Sequence, residues 1–372
     1  MTSTKPALSK ALPESVRQHN RAVLLKLLYP DASMTRADLA RASGLTRVAV
    51  SDIVAELLRE NLLMEVGFNQ PSGPGKRGML LRINPDGRNV IALDLSTPYV
   101  FRGAVLNLLG QATAREEIPL TAGKEVPLSL VGELAGSLTE RANRPILGIG
   151  VSSPGIVSSG GIVDDATNLG WLRTDLAGYL AKQTGLKVSV NNDANNEVLA
   201  EQQFGSGQSD ILLVHLGDGV GVGLLVAGKL VTGRNHAAGE IGHVVVDAEG
   251  PACRCGKRGC LETKLSVPKL TALIDRQPDN LTAILTEAGG VLGRALSMPI
   301  GLLDIPRVTV LGDPRVVNRV FISALEETLN QAVASDFRKP VVVDRSALGE
   351  DAALLGACAT VVSDRLYPGI SV

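Results

Sequence analysis

The stretch GEIGHVVVDAEGPACRCGKRGCLE, residues 239–262, brings four metal-ligand side chains close together in the chain. These side chains are His243, Cys253, Cys255 and Cys260. One imidazole and three soft sulfurs are a donor set that tetrahedral Zn²⁺ accepts, and four protein ligands leave no position for an activated water molecule. Glycines at positions 256 and 259 let the backbone turn tightly enough for the sulfurs to converge. The stretch therefore predicts one structural zinc ion per chain, with unrelated buried cysteines as the alternative.

The composition around this motif is that of a large globular protein. Of the 372 residues, 45% are hydrophobic and 20% are charged, so two or three domains are expected and wholesale disorder is not. The sequence has no run of about 18 uncharged apolar residues and no apolar core of signal-peptide type at its N-terminus. These features predict a cytoplasmic protein without a membrane partner, whose cysteines bind metal rather than form disulfides.

Charge is distributed unevenly, although the formal net charge is only −1. Residues 1–88 contain 13 Lys and Arg against 8 Asp and Glu, whereas the rest of the chain contains 24 against 30. A small basic unit attached to a large acidic one indicates that the small unit meets a polyanion.

Residues 1–83 combine helical periodicity with short turns. Apolar side chains recur at helical spacing before Pro30, and a second helix follows a capping box formed by Thr35 and Asp38. Gly44 supplies a turn, and Thr46 is a suitable N-cap for a third helix. Two amphipathic helices joined by a short glycine turn are typical of the helix-turn-helix, whose second helix enters the DNA major groove by its N-terminal end.

A basic loop follows the third helix. Strands predicted at 62–66 and 79–83 are joined by GFNQPSGPGKRG, a glycine- and proline-rich segment of the kind that forms a wing. A helical protein-interaction module is the alternative, but such a module has no need of a cationic glycine-rich loop. We therefore predict double-stranded DNA as a partner, contacted by the start of the third helix and by the wing. The predicted DNA-binding residues are Thr46, Arg47, Val48, Ser51, Asp52, Lys76 and Arg77.

From residue 84 onward, predicted strands alternate with predicted helices, which implies parallel or mixed sheets covered by helices. Strands are predicted at 90–95, 100–106, 146–151, 188–190, 211–216, 221–226 and 307–311, and helices at 128–141, 172–183 and 318–335. The segment VNNDANN, residues 190–196, follows one of these strands, where open α/β sheets place ligands. A carboxylate flanked by amides can bind sugar hydroxyls, but the same residues could cap a turn before the next helix.

Five motifs occur in the order found in the ROK family of sugar kinases and repressors. They are TNLGW (167–171), NNDAN (191–195), LGDGVGVGLLVAGKLVTG (216–233), AGEIGH (238–243) and CRCGKRGCLE (253–262). Residues 84–372 resemble a ROK domain, and the chain as a whole resembles the ROK transcriptional repressors of the xylose and N-acetylglucosamine regulator type. The resemblance implies an α/β fold: an N-terminal winged helix-turn-helix (residues 1–83) and then a two-lobed, actin-like sugar-sensing domain (residues 84–372).

The resemblance also implies a sugar in the cleft between the two lobes. The implied sugar-binding positions are Asn168, Asn192, Asp193, Glu240, His243 and Glu262. His243 would then bind zinc and also face the sugar, which couples the metal to the shape of the cleft.

The chain departs from the ROK kinases at three positions of the ATP site. The first phosphate loop, Asp-x-Gly-Gly-Thr in the kinases, is here Asp94-Leu-Ser-Thr-Pro98, and Pro98 has no N–H for a phosphate. The second loop has Asp218 in place of threonine, and the adenosine-side Gly-Gly is Gly312-Asp313. We therefore expect no ATP binding and no catalytic residue. Asp193, the catalytic base of a kinase, becomes a hydrogen-bond acceptor for the sugar.

These features together predict a sugar-responsive DNA-binding transcriptional regulator, a repressor of carbohydrate uptake or catabolism genes rather than an enzyme. The expected partners are a double-stranded DNA operator, a small sugar or sugar phosphate effector, and further copies of the chain in a dimer or tetramer. The alternative is a ROK-type ATP-dependent sugar kinase with an appended DNA-binding domain. A third possibility is a zinc-stabilised adaptor that does not bind DNA.

Overall fold

The N-terminal unit is a winged helix-turn-helix, as the sequence predicts. The computed structural model describes residues 13–69, 78–121 and 125–370, with only the backbone of residues 13 and 14. The elements of this unit are α1 (Pro13–Leu28), β1 (Met34–Thr35), α2 (Arg36–Ser43), α3 (Arg47–Arg59), β2 (Leu63–Phe68) and β3 (Met79–Ile83). The three strands form an antiparallel sheet in the order β1-β3-β2. The capping box of Thr35 and Asp38 is present, and Gly44 ends α2 in the left-handed conformation with φ 71°.

The next elements form the first lobe around a five-stranded sheet. They are β4 (Asn89–Asp94), β5 (Val100–Asn107), β6 (Ala112–Pro119), α4 (Leu128–Arg141), β7 (Ile146–Ser153), β8 (Ile156–Ser158), β9 (Ile162–Ala166), β10 (Trp171–Asp175), α5 (Leu176–Thr184) and β11 (Val188–Asn192). The sheet order is β11-β7-β4-β5-β6, with β11, β7 and β4 parallel and the other pairings antiparallel. Strands β8 to β10 form a small antiparallel sheet beside it.

The remaining elements build a second lobe with the same topology. They are α6 (Asp193–Phe204), β12 (Ile211–Leu216), β13 (Val220–Val226), β14 (Lys229–Leu230), α7 (Glu262–Leu265), α8 (Val267–Arg276), α9 (Leu281–Leu303), β15 (Arg307–Gly312), α10 (Arg319–Val333), β16 (Val342–Arg345) and α11 (Ala352–Leu366). The sheet order is β14-β13-β12-β15-β16. In each lobe the first strand along the chain lies in the centre, with the second and third strands on one side of it and the fourth and fifth on the other. Two lobes with one shared topology confirm the predicted actin-like fold.

Helices α6 and α11 cross between the two lobes. Helix α11 packs on β4 and β7 of the first lobe, whereas α6 packs on β12 and β13 of the second. A Cβ atom on Gly356 of α11 would lie 1.9 Å from the carbonyl oxygen of Asn196 of α6, so only glycine permits this close crossing. The Thr360 hydroxyl also donates to Asn196 Oδ1 at 2.7 Å. Movement of one lobe relative to the other must therefore change the contact between α6 and α11.

One predicted helix begins too early in the sequence. Residues 172–175 belong to β10, which pairs with β9, and only Leu176–Thr184 is helical. The side chain of Asp175 caps the helix by accepting from Gly178 N at 2.8 Å, which fixes the start at residue 176. The predicted helix at 128–141 coincides with α4, and that at 318–335 contains α10. Across the described ranges, no helix is long and apolar enough to cross a membrane.

The core of the winged unit continues into the first lobe. One cluster of buried side chains includes Leu24 and Leu57 of the winged unit together with Ala104 of β5 and Val361 of α11. Continuous apolar packing therefore crosses the predicted boundary between residues 83 and 84. The division of the chain into two domains at this boundary stays a prediction. The winged unit and the first lobe are packed as one body.

Tyr29, just after α1, makes the central contact of this junction. Its hydroxyl donates to the Leu108 carbonyl at 2.6 Å, and its ring lies 5.8 Å from the Tyr367 ring, centroid to centroid. The Lys26 ammonium group lies 4.6 Å from the centre of the Tyr367 ring. These contacts hold α1 against the segment that follows α11.

We expect Tyr29→Phe to lower the free energy of unfolding by about 1–3 kcal/mol, because a buried carbonyl loses a hydrogen-bond donor. Urea unfolding followed by circular dichroism measures the change. Tyr99→Phe is the matched control, since the Tyr99 side chain is exposed. Equal stability of the two variants would show that the Tyr29 hydroxyl does not stabilise the junction.

Candidate functional site

The four predicted metal ligands converge at one point. The ligand atoms of His243, Cys253, Cys255 and Cys260 all lie within 4.8 Å of one another. The sulfurs of Cys255 and Cys260 are 3.6 Å apart, and the Cys253 sulfur is 3.6 Å from His243 Nδ1. Zn–S bonds of about 2.3 Å in a tetrahedron separate two sulfurs by about 3.8 Å. The spacing and the donor set therefore fit a metal ion held by four protein ligands.

Two glycines and short strand pairings shape the metal-binding loop. Gly256 and Gly259 have φ angles of 87° and 64°, in the left-handed region that glycine tolerates. A Cβ atom on Gly259 would lie 1.5 Å from the carbonyl oxygen of Asp247. The isolated bridge between Val245 and Cys260 returns the chain to the start of the loop. The fold of the backbone alone thus brings the four ligand side chains together.

Asn192 and Asp193 lie where the first lobe passes into α6. Asn192 caps α6 by accepting from Asn195 N at 3.1 Å, and its amide donates to the Gly155 carbonyl at 2.9 Å and to Asp193 Oδ1 at 2.8 Å. Burial raises the pKa of Asp193 to about 6, helped by the Glu197 carboxylate and opposed by His215. The hydrogen bond from Asn192 therefore orients the Asp193 carboxyl at the start of α6, where the first lobe passes into the second.

The other predicted sugar-binding residues lie around the metal cluster. Glu262 begins α7, is buried, and has Oε1 3.6 Å from His243 Nδ1. The pKa of Glu240 is raised, first by burial and then by the carboxylates of Asp193 and Glu262, against the opposing effect of His243. The Asp193 and Glu262 carboxylates therefore both act electrostatically on Glu240. The structure thus brings Glu262, from the end of one motif, next to His243 of another at the metal cluster.

Arg254 also lies at this site, although it is not among the predicted sugar-binding residues. Its guanidinium donates to Asn168 Oδ1 at 2.6 Å, and its Nε lies 3.5 Å from Glu262 Oε1. Asn168 precedes β10 in the first lobe, so this contact spans the cleft. Its position between Cys253 and Cys255 could have indicated that it lies at the site, because two metal-binding cysteines fix the backbone between them. Arg254 connects Asn168 to the other predicted sugar-binding residues.

A cavity of about 930 Å³, here called the phosphate-loop cavity, lies between the lobes. Its walls include Asp94, Thr97, Glu197, His215, Asp218 and Asp313. The Asp94 carboxylate accepts from Ser96 N at 2.9 Å, from Ser96 Oγ at 2.5 Å and from Thr97 Oγ1 at 2.7 Å. The two hydroxyl residues that stand where the kinases have glycines thus engage both carboxylate oxygens of Asp94.

His215 and Glu197 form a pair in the wall of this cavity. The His215 Nδ1 atom lies 2.8 and 2.9 Å from the two carboxylate oxygens of Glu197, which is buried. Burial disfavours the charged imidazolium, but the carboxylates of Glu197, Asp193 and Asp94 outweigh it and raise the pKa of His215 to about 9. The Glu197 carboxylate therefore favours the protonated form of His215.

The predicted DNA-binding residues of the helix-turn-helix lie together on an exposed face. Thr46 caps α3 by accepting from Ala49 N at 3.2 Å. Arg47 and Val48, which follow it at the start of the helix, are exposed, and 71% of the surface of Val48 is accessible to solvent. The exposed members of this set are Thr46, Arg47, Val48, Ser51 and Asp52. Lys76 and Arg77 of the predicted wing lie outside the described residues.

Comparison with known proteins agrees with this architecture. A family model described as ROK family matches residues 91–364. The chain is 28% identical to the xylose repressor of Caldicellulosiruptor bescii, over 94% of this chain and 97% of that protein. It is 32% identical to the glucokinase of Thermotoga maritima, over 66% of this chain and 87% of that protein. The chain belongs to the ROK family.

A solved structure shows the same fold over nearly the whole chain. The crystal structure of a ROK family transcriptional regulator, a homologue of E. coli MLC protein, matches with a TM-score of 0.76 at 23% identity. The match covers 95% of this chain and 98% of that one. The similarity to regulators therefore includes most of the chain, whereas the glucokinase match covers two-thirds of it.

Proposed function

We propose that this protein is a sugar-responsive DNA-binding transcriptional regulator that represses genes for carbohydrate uptake or catabolism. One observation carries the proposal: the winged unit that exposes the start of α3 shares a continuous core with the first lobe of the sugar cleft. A change at the cleft can therefore reach the DNA-binding face through packed side chains. Repressor relatives that align over nearly the full chain support the same function.

The effector in this proposal is a small sugar held in the cleft. Carboxylates and amides accept and donate hydrogen bonds to sugar hydroxyls, and the cleft offers both kinds of group. The residues proposed to bind the sugar are Asn168, Asn192, Asp193, Glu240, His243 and Glu262. One Zn²⁺ ion per chain, bound by His243 and the three cysteines, would hold the loop that carries Arg254 and positions Glu262. This zinc is structural, because four protein ligands leave no open coordination position.

The regulator is proposed to lack kinase activity. Asp94 is occupied by Ser96 and Thr97, Asp218 places a carboxylate in the second loop, and Asp313 is paired with Arg315 at 3.2 Å. A triphosphate would meet these carboxylates instead of a glycine-rich cradle of N–H groups. The size of the phosphate-loop cavity and the glucokinase relative favour the alternative, an ATP-dependent sugar kinase with an appended DNA-binding domain. Consumption of ATP in the presence of a sugar would support that alternative.

Operator recognition is proposed to require the start of α3. We expect Arg47→Ala to weaken binding to DNA from upstream of the protein's own gene by about 5- to 150-fold, because a guanidinium contact to guanine contributes about 1–3 kcal/mol. Fluorescence anisotropy with labelled DNA measures the affinity. Arg59→Ala is the matched control, since it removes the same charge from the exposed last turn of the same helix.

Equal losses in the two variants would indicate non-specific attraction to phosphates rather than base recognition. Failure of the wild-type protein to bind this DNA would favour the zinc-stabilised adaptor. Because one winged unit contacts one half-site, a homodimer or tetramer is proposed as the binding species.

A further inference from the structure

Arg254 makes a polar contact from the second lobe to the first. It lies on the metal-binding loop, and its guanidinium group donates to Asn168 Oδ1 at 2.6 Å. Asn168 lies between β9 and β10, in the small sheet of the first lobe. The Nε atom of the same guanidinium group is 3.5 Å from Oε1 of Glu262, which is buried at the start of α7. One side chain thus joins a residue of each lobe, and both residues are proposed to bind the sugar.

The position of Arg254 is fixed by its surroundings on the second lobe. Its neighbours in the chain are Cys253 and Cys255, whose side chains converge at the metal cluster, so its backbone is held on both sides. A Cβ atom on Gly219, in the turn between β12 and β13, would lie 3.2 Å from Arg254 Nη2 and 3.4 Å from Glu262 Oε2. The guanidinium group therefore lies against this glycine turn and reaches from it to the first lobe.

A second polar contact joins the lobes at the other end of β9. His236 Nε2, on the loop that follows β14, lies 3.3 Å from Ser159 Oγ, in the turn between β8 and β9. His236 has a φ angle of 55°, in the left-handed region that residues other than glycine seldom adopt. Ser159 and Asn168 lie before and after β9, so the second lobe contacts the small sheet at two separate points. The two lobes are thus tied together by side chains of the chain itself.

We infer that Arg254 is a positioning residue that bridges the two lobes and favours the closed position of the cleft. The inference rests on the proposed coupling of the cleft to DNA, because only that coupling makes the lobe position a signal. The bridge consists of the chain's own side chains, so it favours closure independently of any effector. A sugar hydroxyl that donates to Asn168 Oδ1 has to share this oxygen with Arg254. Arg254 therefore limits how far a sugar can still shift the position of the lobes.

Distances between the lobes test the bridge in the full-length, zinc-loaded protein without any sugar. Spin labels on non-canonical amino acids at Lys182 of α5 and Ala272 of α8, both exposed, leave the native cysteines unmodified. In Arg254→Ala, pulsed electron paramagnetic resonance should show about 2- to 10-fold more of the long interlobe distances, because one hydrogen bond is lost. Arg258→Ala is the matched control, since this arginine is exposed on the same loop. Identical distances in Arg254→Ala and in the control would overturn the inference.

Operator affinity without sugar tests whether the bridge affects the signal. Asn168→Asp should strengthen the bridge, because a carboxylate accepts from a guanidinium group more strongly than an amide oxygen does. Arg254→Ala and Asn168→Asp each make the net charge more negative by one, so both change non-specific attraction to DNA in the same direction. We expect their operator dissociation constants to shift in opposite directions, each by about twofold or more relative to Arg258→Ala.

The combined results separate the bridge from the proposed function. Shifts of both operator dissociation constants in the same direction would overturn the role of the bridge, because the change in net charge alone explains them. Longer distances in Arg254→Ala, with operator affinities of both variants equal to that of the control, would support the bridge and contradict the coupling of the cleft to DNA.

Discussion

Replacing Cys255 with serine is expected to strip the metal from the protein and lower its melting temperature by about 10 °C or more. The sulfur of Cys255 lies 3.6 Å from that of Cys260, and a serine hydroxyl cannot replace a thiolate as a ligand for zinc. Structural zinc sites contribute about 10–16 kcal/mol of binding free energy in small domains, and part of that is available here to hold the loop. About 3 kcal/mol would already shift the melting temperature of a lobe of this size by roughly 10 °C.

Elemental analysis and differential scanning calorimetry measure the two effects. Cys358→Ala is the matched control, because Cys358 is a buried cysteine far in sequence from the cluster. The control should retain about one zinc ion per chain and lose only the stability expected for a small core cavity. Freshly purified wild-type protein without zinc would contradict the proposed site, as would a Cys255→Ser variant that kept its metal and its melting temperature.

Asp193→Asn is expected to abolish the response of DNA binding to sugar while leaving operator affinity without sugar nearly unchanged. The substitution keeps the shape of the side chain but removes the carboxylate that would accept from a sugar hydroxyl. In the wild type, sugar and operator should change each other's affinity by about 5- to 150-fold, the usual range of 1–3 kcal/mol for coupled sites. In the variant, this factor should fall to less than about twofold.

The structure gives a physical route for this coupling. Asp193 is the first residue of α6, which crosses α11 at Gly356. The segment after α11 carries Tyr367, which packs on Lys26 of α1 and on Tyr29 just after it. Arg21 of α1 in turn pairs with Glu56 of α3 at 2.8 Å. Packed helices joined by such contacts can transmit a change in lobe position, provided the sugar favours one position.

Anisotropy titrations of the labelled DNA with and without the sugar measure the response. Asp279→Asn is the control, because this exposed aspartate precedes α9 and makes the same chemical change outside the cleft. The control should respond to sugar like the wild type. A normal response in Asp193→Asn would instead show that Asp193 caps a turn and does not bind the sugar.

The elements that the sequence predicts well are those with one buried and one exposed face. Helix α3 is amphipathic as predicted, with Val50, Ile53, Val54 and Leu57 buried, Leu58 partly buried and Val48 exposed. Helix α11 gives no such pattern, because most of its residues are buried against both the first lobe and α6. A helix enclosed on all sides has no polar stripe, so periodicity cannot place it.

The metal ligands were predictable because they are close together in the chain, whereas other contacts of the site were not. His215 and Glu197 are 18 positions apart, on β12 and α6, and meet only through packing of that helix on its sheet. The contact of Arg254 with Asn168 joins residues 86 positions apart across the cleft. Spacing along the chain carries no information on such pairs. The early start predicted for the helix at 172 has a similar cause, since pairing of β10 with β9 overrides local propensity.

Thermodynamic linkage between sugar and DNA in the wild-type protein tests the central claim most directly. The operator dissociation constant is measured by anisotropy with and without the sugar, and the sugar dissociation constant by calorimetry with and without the operator. The proposed regulator predicts that both constants change by the same factor, about 5- to 150-fold, because coupling between two sites is reciprocal. An operator affinity that stays the same when the cleft is saturated with a sugar would contradict it.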